Sequence, residues 1–549
     1  MVATPHEVNA ASLQAAHERW DAFRAEIWQV TAEARGERSR SAVLKRLRPG
    51  SRSFRLVTSV VGPVLRSLRR LGLRSTSIVP TSAENFPDHF STSGVIEVAE
   101  QAAVPLVLEL PASDEREAWS ALERELARCE THAVLVLHGV SLLPGAASRL
   151  LDVAKATNAD LTYGDHLELS DEGLFGVFRP KEIGPVGLLS WDAVGPVVCV
   201  KRDALSAGAR FDADLPTMAL HNLAAQILNA GGTVQRAAGH LAIAPPRTPA
   251  ALAEHVAWTE KSLNALGLRS SVTVGPSGSI SWVAASNGEL PKVAVVIPTR
   301  DRLDLLQRCL SSLEQSTYPN FEVVIVDNDS VEPATLSFLS ECGYQVVRAP
   351  GPFNYSRIVN GGVASTTASF VVTLNNDVTI TTPDWLEQMV AIACLTNVGI
   401  VGCALENPDG TAQHEGIAIA PYPQHLRRDQ NYTRPDGYLE ATKEVSAVTG
   451  ACTLLSRELW DELGGLDTTL TVVGNDIDLC LRAAVLGKST VYASSVRMIH
   501  AESSSRGSLI PPDDVFRMIA KWGLFDTFVD PWFPSALEMI ADRIRWRDQ

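Results

Sequence analysis

The chain has 549 residues, of which 45% are hydrophobic and 20% are charged, and its formal net charge is −15. This length is too great for one hydrophobic core, so two or three domains are expected. The composition is that of a globular protein, and the negative charge argues against a general nucleic-acid-binding protein.

The eight cysteines show no paired spacing typical of metal ligands, and most lie inside apolar runs. This pattern predicts reduced, buried thiols. No apolar segment is long enough to span a bilayer, and the N-terminus lacks the apolar core of a signal peptide. The sequence therefore predicts a cytoplasmic protein.

Residues 1–75 are predicted to form a helical, basic segment. Between residues 38 and 82 there are eleven Lys or Arg residues and no acidic residue. Two interpretations of residues 38–75 stay open. The segment could bind an anionic membrane surface and hold the protein at the inner face of the cell membrane, or it could be a solvated helix that packs against an acidic domain.

Residues 76–285 are predicted to form an α/β domain, with strands near 104–110, 133–137, 159–163 and 194–200. The strand at 133–137 is followed by His138-Gly139-Val140, which contains no carboxylate. Residues 271–291 are rich in Ser, Gly, Pro and Asn and read as the connection to the next domain.

The third region, residues 292–507, contains three short apolar runs that each end in polar residues. The runs are 293–297, 323–326 and 370–374, and leucines at helical spacing between 303 and 313 predict a crossover helix. Continuous apolar strands of this kind are typical of a parallel sheet, in which ligands lie beyond the carboxyl ends of the strands. Asp301, Asp327 and Asp377 are expected at that edge. Any one of them alone is more simply a helix cap, but three in a parallel frame favour a nucleotide pocket.

Further chemistry-bearing residues follow downstream. Asp476 and Asp478 lie two residues apart in a predicted helix, so they face different sides of it, and Asp478 is placed to pair with Arg482 one turn on. His500 ends another apolar run, and with Asp377 it could bind a divalent cation whose other ligands are phosphate oxygens. The last region, residues 508–549, is predicted to be a helical tail whose aromatic residues cover a core.

These motifs together resemble a known family. They are Ile297-Pro-Thr-Arg-Asp-Arg, Val326-Asp-Asn, Pro352-Phe-Asn-Tyr-Ser, Leu374-Asn-Asn-Asp, Val448-Thr-Gly-Ala-Cys, Asn475-Asp-Ile-Asp-Leu-Cys-Leu-Arg and His500-Ala-Glu-Ser-Ser-Ser-Arg-Gly. In this order they resemble the inverting family 2 glycosyltransferases of GT-A fold. The branch that they are most similar to is the rhamnosyltransferase and O-antigen type, in which two such domains often stand in tandem.

The resemblance implies a role for each matching residue. The residues that it places on the nucleotide-sugar donor are Pro298, Thr299, Arg300, Asp301, Asp327, Asn328, Asn360, Asn375 and Asn376. Asp377 and His500 would hold Mg²⁺ or Mn²⁺, and Asp476 would be the general base. Weaker acceptor-site candidates are Thr449, Gly450, Asp478 and His414, together with His425, Arg427 and Arg428 in the variable region 407–440. The chain departs from the family pattern at Asn375 and Asn475, where carboxylates are usual.

The function that the resemblance implies is transfer of a sugar, with inversion, from dTDP-rhamnose or a UDP-sugar to a hydroxyl of a lipid-linked or cell-surface glycan. The domain at 76–285 would be a degenerate copy, because Ala219-Leu-His-Asn-Leu223 stands where the base motif should be. That copy could bind acceptor or support a homodimer. One alternative is a non-catalytic scaffold that binds nucleotide sugar or glycan. A nucleotidyltransferase is disfavoured, because no Gly-rich phosphate loop follows the strand at 293–297.

Overall fold

The computed structural model describes residues 5–20, 106–170, 173–177, 179–206, 208–275, 278–288, 290–419, 423–426, 437–501, 511–524 and 528–533. The basic segment 38–75, Arg427 and Arg428 lie outside these residues. The chain divides into two compact units. The described part of the first unit runs from 106 to 262 and includes 273–280, and the second contains residues 5–20, 263–272 and everything described from 281 onward.

The first unit is a mixed α/β unit. Its strands are β1 (Leu106–Glu109), β2 (His132–Val136), β3 (Ser141–Leu142), β4 (Leu161–Ser170), β5 (Gly173–Val177), β6 (Val197–Lys201) and β7 (Val234–Ala244). Helix α1 comprises residues 10–20 and belongs to the second unit. The helices of the first unit are α2 (Arg116–Arg128), α3 (Ala146–Thr157), α4 (Pro185–Leu188), α5 (Arg202–Ser206), α6 (Ala219–Asn229) and α7 (Pro249–Ala265). The strands that the sequence predicts near 104–110, 133–137, 159–163 and 194–200 correspond to β1, β2, β4 and β6.

The second unit carries the motifs. After the hairpin of β8 (Leu268–Val274) and β9 (Ile280–Ser286), its strands are β10 (Val293–Thr299), β11 (Phe321–Asp327), β12 (Gln345–Arg348), β13 (Phe370–Leu374), β14 (Val378–Ile380), β15 (Val398–Glu406), β16 (Ala412–His414), β17 (Ile417–Ile419), β18 (Pro423–His425), β19 (Lys443–Val445), β20 (Cys452–Ser456) and β21 (Ser489–His500). Its helices from 303 onward are α8 (Leu303–Leu313), α9 (Pro333–Glu341), α10 (Tyr355–Ala364), α11 (Trp385–Ala393), α12 (Arg457–Leu463), α13 (Asn475–Val485) and α14 (Pro512–Trp522).

The main sheet of the second unit has a parallel half and a mixed half. Its strand order is β12-β11-β10-β13-β20-β15-β21-β14, with β16 on β15 and β19 on β21. Strands β12, β11, β10 and β13 are mutually parallel, as the apolar runs predict. Thr299 lies opposite Asp327, and Val296 lies opposite Thr373, so the three predicted strands end at one edge.

The predicted crossover helix is also present. Helix α8 buries Leu305, Leu306, Leu310 and Leu313, which is the face that the leucine spacing indicates. The core strands themselves are buried on both sides: every residue of β10 from Val293 to Ile297 has no exposed surface. Burial of both faces explains why these strands are continuous apolar runs and not alternating ones.

The C-terminal helix α14 packs against the N-terminal helix α1. Ala16 and Trp20 share one apolar cluster with Ile519 and Trp522. The predicted covering role of the tail aromatics is confirmed for Phe516, Trp522 and Phe533, all of which are buried. The buried-thiol prediction is correct for Cys129, Cys199, Cys309, Cys403, Cys452 and Cys480, but Cys394 is exposed. No helix in the described part of the chain is long and apolar enough to cross a membrane.

The sheet of the first unit repeats the connectivity of the second. Its order is β1-β2-β6-β4-β7-β3, with β5 on β4. This order corresponds, strand for strand, to the order β10-β13-β20-β15-β21-β14 in the second unit, where β16 pairs with β15. Each neighbouring pair of strands has the same parallel or antiparallel sense in both units. Helix α6 stands directly before β7 as α13 stands directly before β21. The two units therefore share one folding plan.

Candidate active site

The carboxyl edge of β10, β11 and β13 gathers the residues that follow these strands. The side-chain amide of Asn376 donates to Thr299 Oγ1 at 3.0 Å, which ties the end of β13 to the end of β10. The Asn375 backbone N–H donates to Ala451 O at 2.9 Å. The first contact exists because the parallel strands β10 and β13 end together, and the second lies where β13 meets the antiparallel strand β20.

Asp377 and His500 face each other across an antiparallel strand pair. Asp377 directly precedes β14, and Val378 lies opposite His500 in β21. Asp377 Oδ1 is 3.2 Å from His500 Nε2, and the two side chains are only 7% and 11% exposed. The other ring nitrogen, Nδ1, is 2.6 Å from Gln413 Oε1. The short strand β14 is what brings the histidine to the carboxylate.

This pair fits a small divalent cation. A carboxylate oxygen and an imidazole nitrogen are ordinary ligands for such an ion. Two neighbouring ligands of an octahedral ion with bonds of about 2.1 Å are about 3.0 Å apart, close to the separation found here. Among the described residues no group of three or more His, Cys, Asp or Glu side chains could hold a metal. An ion at Asp377 and His500 would therefore take further ligands from water or from a bound molecule.

Asp476 lies in the first turn of α13, where it is partly exposed. Its Oδ2 accepts a hydrogen bond of 2.8 Å from the backbone N–H of Gly450. A Cβ at Gly450 would lie 3.3 Å from Asp476 Cβ, so the glycine permits this close approach. The positive end of the helix dipole also favours a carboxylate at this position.

Asp478 has different surroundings. It is fully buried, and its Oδ2 pairs with Arg482 at 2.8 Å, as the spacing of four residues predicts. Its Oδ1 lies 2.7 Å from Lys521 Nζ and accepts from Trp522 Nε1 at 2.9 Å. The side chain of Asp478 therefore belongs to a buried ionic network that joins α13 to α14, and it does not share the surroundings of the Asp476 side chain.

Tyr355 connects the segment that carries Asp476 to the segment that carries Asp377. Its hydroxyl donates to Gly450 O at 3.0 Å and lies 3.3 Å from Asn375 Oδ1. Gly450 is the residue that binds Asp476, so a short chain of contacts runs from Asp476 to the strand end that carries Asp377. The sequence pattern alone indicates no role for Tyr355, although this residue stands in the Pro352-Phe-Asn-Tyr-Ser motif. Gln413 was missed altogether.

Most of the predicted donor-binding side chains also shape the loops of this edge. Asp327 is buried, accepts from Ser330 N at 3.0 Å and pairs with Arg348. The Asn328 amide donates to Ala349 O and Gly351 O. Asp301 Oδ1 accepts from Val331 N and Glu332 N at the start of α9.

The remaining predicted residues differ in their exposure and in their contacts. Asn360 binds both backbone groups of Leu466, at 2.9 Å each, so it fixes a loop. Pro298 is partly exposed and Arg300 is exposed, so both are accessible at the end of β10. Thr449, next to Gly450, is also partly exposed. His414 is buried and meets His425, with 2.9 Å between their Nδ1 atoms.

The cysteines nearest the site are not nucleophiles. Burial raises the pKa of Cys309 to about 12, and its thiol lies 3.7 Å from Asn375 O. Burial likewise raises the pKa of Cys480, in α13, to about 12. Both groups remain thiols near neutral pH, and the thiolate is the reactive form. The candidate reactive side chains of this site are therefore the carboxylates and the imidazole.

The region that carries this site matches a known protein family. Residues 291–522 match the model of the family described as Glycosyltransferase like family 2. An uncharacterised protein of Sinorhizobium fredii is 32% identical over 411 residues, which are 70% of this chain and 42% of that protein. The O-antigen biosynthesis protein RfbC of Myxococcus xanthus is 36% identical over 242 residues, which are 42% of this chain and 19% of that protein. The chain thus spans less than half the length of these relatives.

One solved structure with partial likeness is a mannosyltransferase of Pyrobaculum calidifontis in complex with GDP-Man and Mn²⁺, with 21% identity, a TM-score of 0.32, and coverage of 41% of this chain and 60% of that one. The family match establishes that residues 291–522 form a glycosyltransferase family 2 domain. This domain contains the motifs from Ile297 to His500. The family match confirms the predicted α/β class and GT-A type for this part of the chain.

Proposed function

We propose that this chain is an inverting glycosyltransferase that transfers a sugar from a nucleotide-sugar donor to a hydroxyl of a glycan. The observation that carries the proposal is the pair of carboxylates at one sheet edge. Asp377 lies beside an imidazole, and Asp476 lies at a helix N-terminus, linked to the Asp377 strand through Gly450 and Tyr355. The reaction needs two such groups with different tasks.

Asp377 and His500 are the residues that would hold Mg²⁺ or Mn²⁺. Departure of a nucleoside diphosphate from the anomeric carbon builds negative charge on the leaving phosphate, and a cation neutralises that charge without proton transfer. Asn375 at the first position of the Asn-Asn-Asp motif supplies no charge, and its Oδ1 already lies beside the Tyr355 hydroxyl. One carboxylate and one imidazole are thus the protein's whole contribution to this site in the proposal.

Asp476 is the proposed general base. The attacking hydroxyl has a high pKa, so a carboxylate must take its proton as the new bond forms. Asp476 is partly exposed and accepts a hydrogen bond from Gly450 N, so its carboxylate is accessible, whereas Asp478 is buried in an ionic network. Attack in a single displacement, from the face opposite the leaving group, inverts the anomeric centre.

The donor-binding residues in the proposal lie at the carboxyl ends of β10, β11 and β13, together with Asn360 of α10. They are Pro298, Thr299, Arg300, Asp301, Asp327, Asn328, Asn360, Asn375 and Asn376. Thr449, Gly450 and His414 are proposed for the acceptor side. The relative named as an O-antigen biosynthesis protein supports a glycan as acceptor. The proposed acceptor is a lipid-linked or cell-surface glycan, and the proposed donor is dTDP-rhamnose or a UDP-sugar.

The first unit is proposed to be a degenerate copy without catalytic groups. By topology, Val140 stands before β3 as Asp377 stands before β14, and Ile243 pairs with β3 as His500 pairs with β14. Leu220 is the second residue of α6, as Asp476 is of α13. All three positions hold apolar residues. This unit is left to bind acceptor or to support a homodimer.

Residues 38–75 are proposed to hold the protein at the inner face of the cell membrane, because eleven cations stand between 38 and 82 without an acid. The test compares binding of the full chain and of a 38–75 deletion to vesicles of phosphatidylcholine with and without phosphatidylserine. Equal binding of both proteins to the anionic vesicles would favour the second interpretation, a basic helix that packs on an acidic domain.

The catalytic proposal is tested by hydrolysis of dTDP-rhamnose and UDP-sugars in wild type and in Asp377→Ala and Asp476→Asn. Removal of the base is expected to slow the reaction by roughly 10²-fold or more. Asp461→Asn is the matched control, since this carboxylate is exposed and pairs only with Arg457 among the contacts described for it. Equal hydrolysis rates in all four proteins would contradict the proposed enzyme and favour the non-catalytic binding scaffold. Thermal shifts with a panel of nucleotide sugars would identify the donor.

A further inference from the structure

Gln413 holds His500 at two points. Gln413 lies in the short strand β16 and is 3% exposed. Its Oε1 is 2.6 Å from His500 Nδ1, and its Nε2 donates to the backbone carbonyl of His500 at 3.0 Å. Its Nε2 also donates to Asn407 Oδ1 at 2.9 Å. A buried amide that grips one residue through both its side chain and its main chain fixes that residue's orientation.

The orientation of the Gln413 amide follows from its partners. A backbone carbonyl can only accept, so the end of the amide that faces His500 O must be the NH₂ end. The Asn407 side chain agrees with this assignment, because its own NH₂ donates to Thr411 Oγ1 at 2.8 Å and leaves Oδ1 towards Gln413. Oε1 of Gln413 therefore faces the His500 ring.

The proton on the ring follows in turn. Oε1 can only accept, so His500 Nδ1 must carry the hydrogen. In the neutral imidazole the other nitrogen, Nε2, is then bare and directs its lone pair at the Asp377 carboxylate, 3.2 Å away. Two lone pairs at that separation repel each other unless a cation lies between them.

We propose that Gln413 is the positioning residue of the cation site: it keeps the His500 proton on Nδ1 and so presents Nε2 as a ligand beside Asp377. This inference rests on the proposed function, since the cation is part of that function. Without Gln413 the hydrogen would move to Nε2, where it could bond Asp377 and close the site. Partners of this kind typically change metal affinity by about 10- to 100-fold.

The first measurement is the tautomer of His500 in the metal-free full chain. Nitrogen NMR of ¹⁵N-histidine protein, in alkaline buffer where imidazole is neutral, separates the two forms, and His500→Gln assigns the signal. The wild type is expected to carry the proton on Nδ1, and Gln413→Leu to carry it on Nε2. Gln413→Glu keeps an acceptor at the same reach and is expected to keep the proton on Nδ1.

The second measurement is Mn²⁺ binding, read from the electron paramagnetic resonance signal of free Mn²⁺ in the presence of UDP or dTDP. Gln413→Leu is expected to weaken binding by about 10-fold or more. Gln388→Leu is the matched control, because Gln388 is also buried and binds Ser495 of the same strand β21, five residues before His500. It is expected to change neither readout.

A wild-type proton on Nε2, or an unchanged tautomer in Gln413→Leu, overturns the inference. The wild-type spectrum tests the inference even if Gln413→Leu does not fold, because it shows which nitrogen of His500 carries the proton. These outcomes are separate from failure of the proposed function, which would appear as equal donor hydrolysis by wild type, Asp377→Ala and Asp476→Asn.

Discussion

At the scale of single residues, two aspartates of one helix turn have opposite environments. Asp476 is partly exposed and accepts from Gly450 N, while Asp478 is buried between Arg482, Lys521 and Trp522. The sequence predicts this division, because residues two apart on a helix cannot face the same side. It could not predict Lys521 and Trp522 as partners, since these come from the tail helix and meet Asp478 only after packing.

Tyr355 offers a test of how tightly the two carboxylate segments must be held together. Tyr355→Phe removes the hydroxyl that binds Gly450 O and lies beside Asn375 Oδ1, and it keeps the ring in the core. We expect a stability loss of about 1 kcal/mol. We also expect donor hydrolysis to slow by between about 10-fold and 10²-fold, because misplacement of reacting groups is costly.

The control for this variant is Tyr318→Phe, which removes a hydroxyl bonded to Pro291 O at 2.7 Å, near the amino-terminal start of β10. Both variants are compared by urea unfolding and by steady-state kinetics. If Tyr318→Phe and Tyr355→Phe lose the same activity for the same loss of stability, the link between the two segments has no special role.

At the scale of elements, the tail helix α14 shapes the loop that leads into the helix bearing Asp476. The buried Asp514 carboxylate, in the first turn of α14, accepts from the backbone N–H groups of Thr471, Val472 and Val473 at 2.8–3.1 Å. Gly474, with φ +80°, follows and starts α13. The direction of α13 therefore depends on a carboxylate from another helix.

Asp514→Asn is expected to weaken these charge-assisted hydrogen bonds and to lower the free energy of unfolding by about 1.5–3 kcal/mol. Activity should fall further than stability alone explains, because Asp476 moves with the start of α13. Asp513→Asn is the matched control, since Asp513 is in the same first turn but exposed. Circular dichroism in urea and donor hydrolysis measure both effects. Equal behaviour of the two variants would contradict the role given to Asp514.

The same scale separates what the sequence could predict from what it could not. The ends of β10, β11 and β13 were predictable, because long apolar runs and a leucine-spaced helix indicate a parallel sheet whose strand ends share one edge. The pairing of β14 with β21 was not, because a strand of three residues has no readable pattern. The contact between Gln413 and His500, 87 residues apart, depends on that register and on the equally short β16.

At the scale of the whole molecule, one folding plan occurs twice with unequal chemistry. The strand orders and senses agree between the units, but Val140, Leu220 and Ile243 stand where the second unit has Asp377, Asp476 and His500. Apolar side chains at these three positions can supply neither a cation ligand nor a general base. If the proposed roles of Asp377, Asp476 and His500 hold, this topology occurs in one chain both with and without those groups, as expected where fold and site are separable.

The two units should also respond differently to acid. In the first unit, burial lowers the pKa of His255 well below its usual value, and its Nδ1 lies 3.1 Å from the guanidinium of Arg247. The unfolded chain therefore binds a proton there more readily, and the stability of this unit falls as pH drops below about 6.5. In the second unit, burial raises the pKa of Asp530 to about 6. There the native state binds the proton more readily, so the contribution of Asp530 to stability rises as pH falls from about 7 towards about 4.

Asp530 is well placed for this effect, because its carboxylate accepts from Ile419 N, Trp532 N and Phe533 N and so fixes residues 530–533 on β17. Asp530→Asn has no proton to gain. The difference in unfolding free energy between wild type and Asp530→Asn should therefore shift by about 1.3 kcal/mol in favour of the wild type between pH 7 and pH 5. Hydrogen exchange measured by mass spectrometry reads the two units separately, and the shift is expected in peptides from 281 onward. Parallel pH profiles for the two proteins would show that Asp530 is already ionised in the folded state at pH 5.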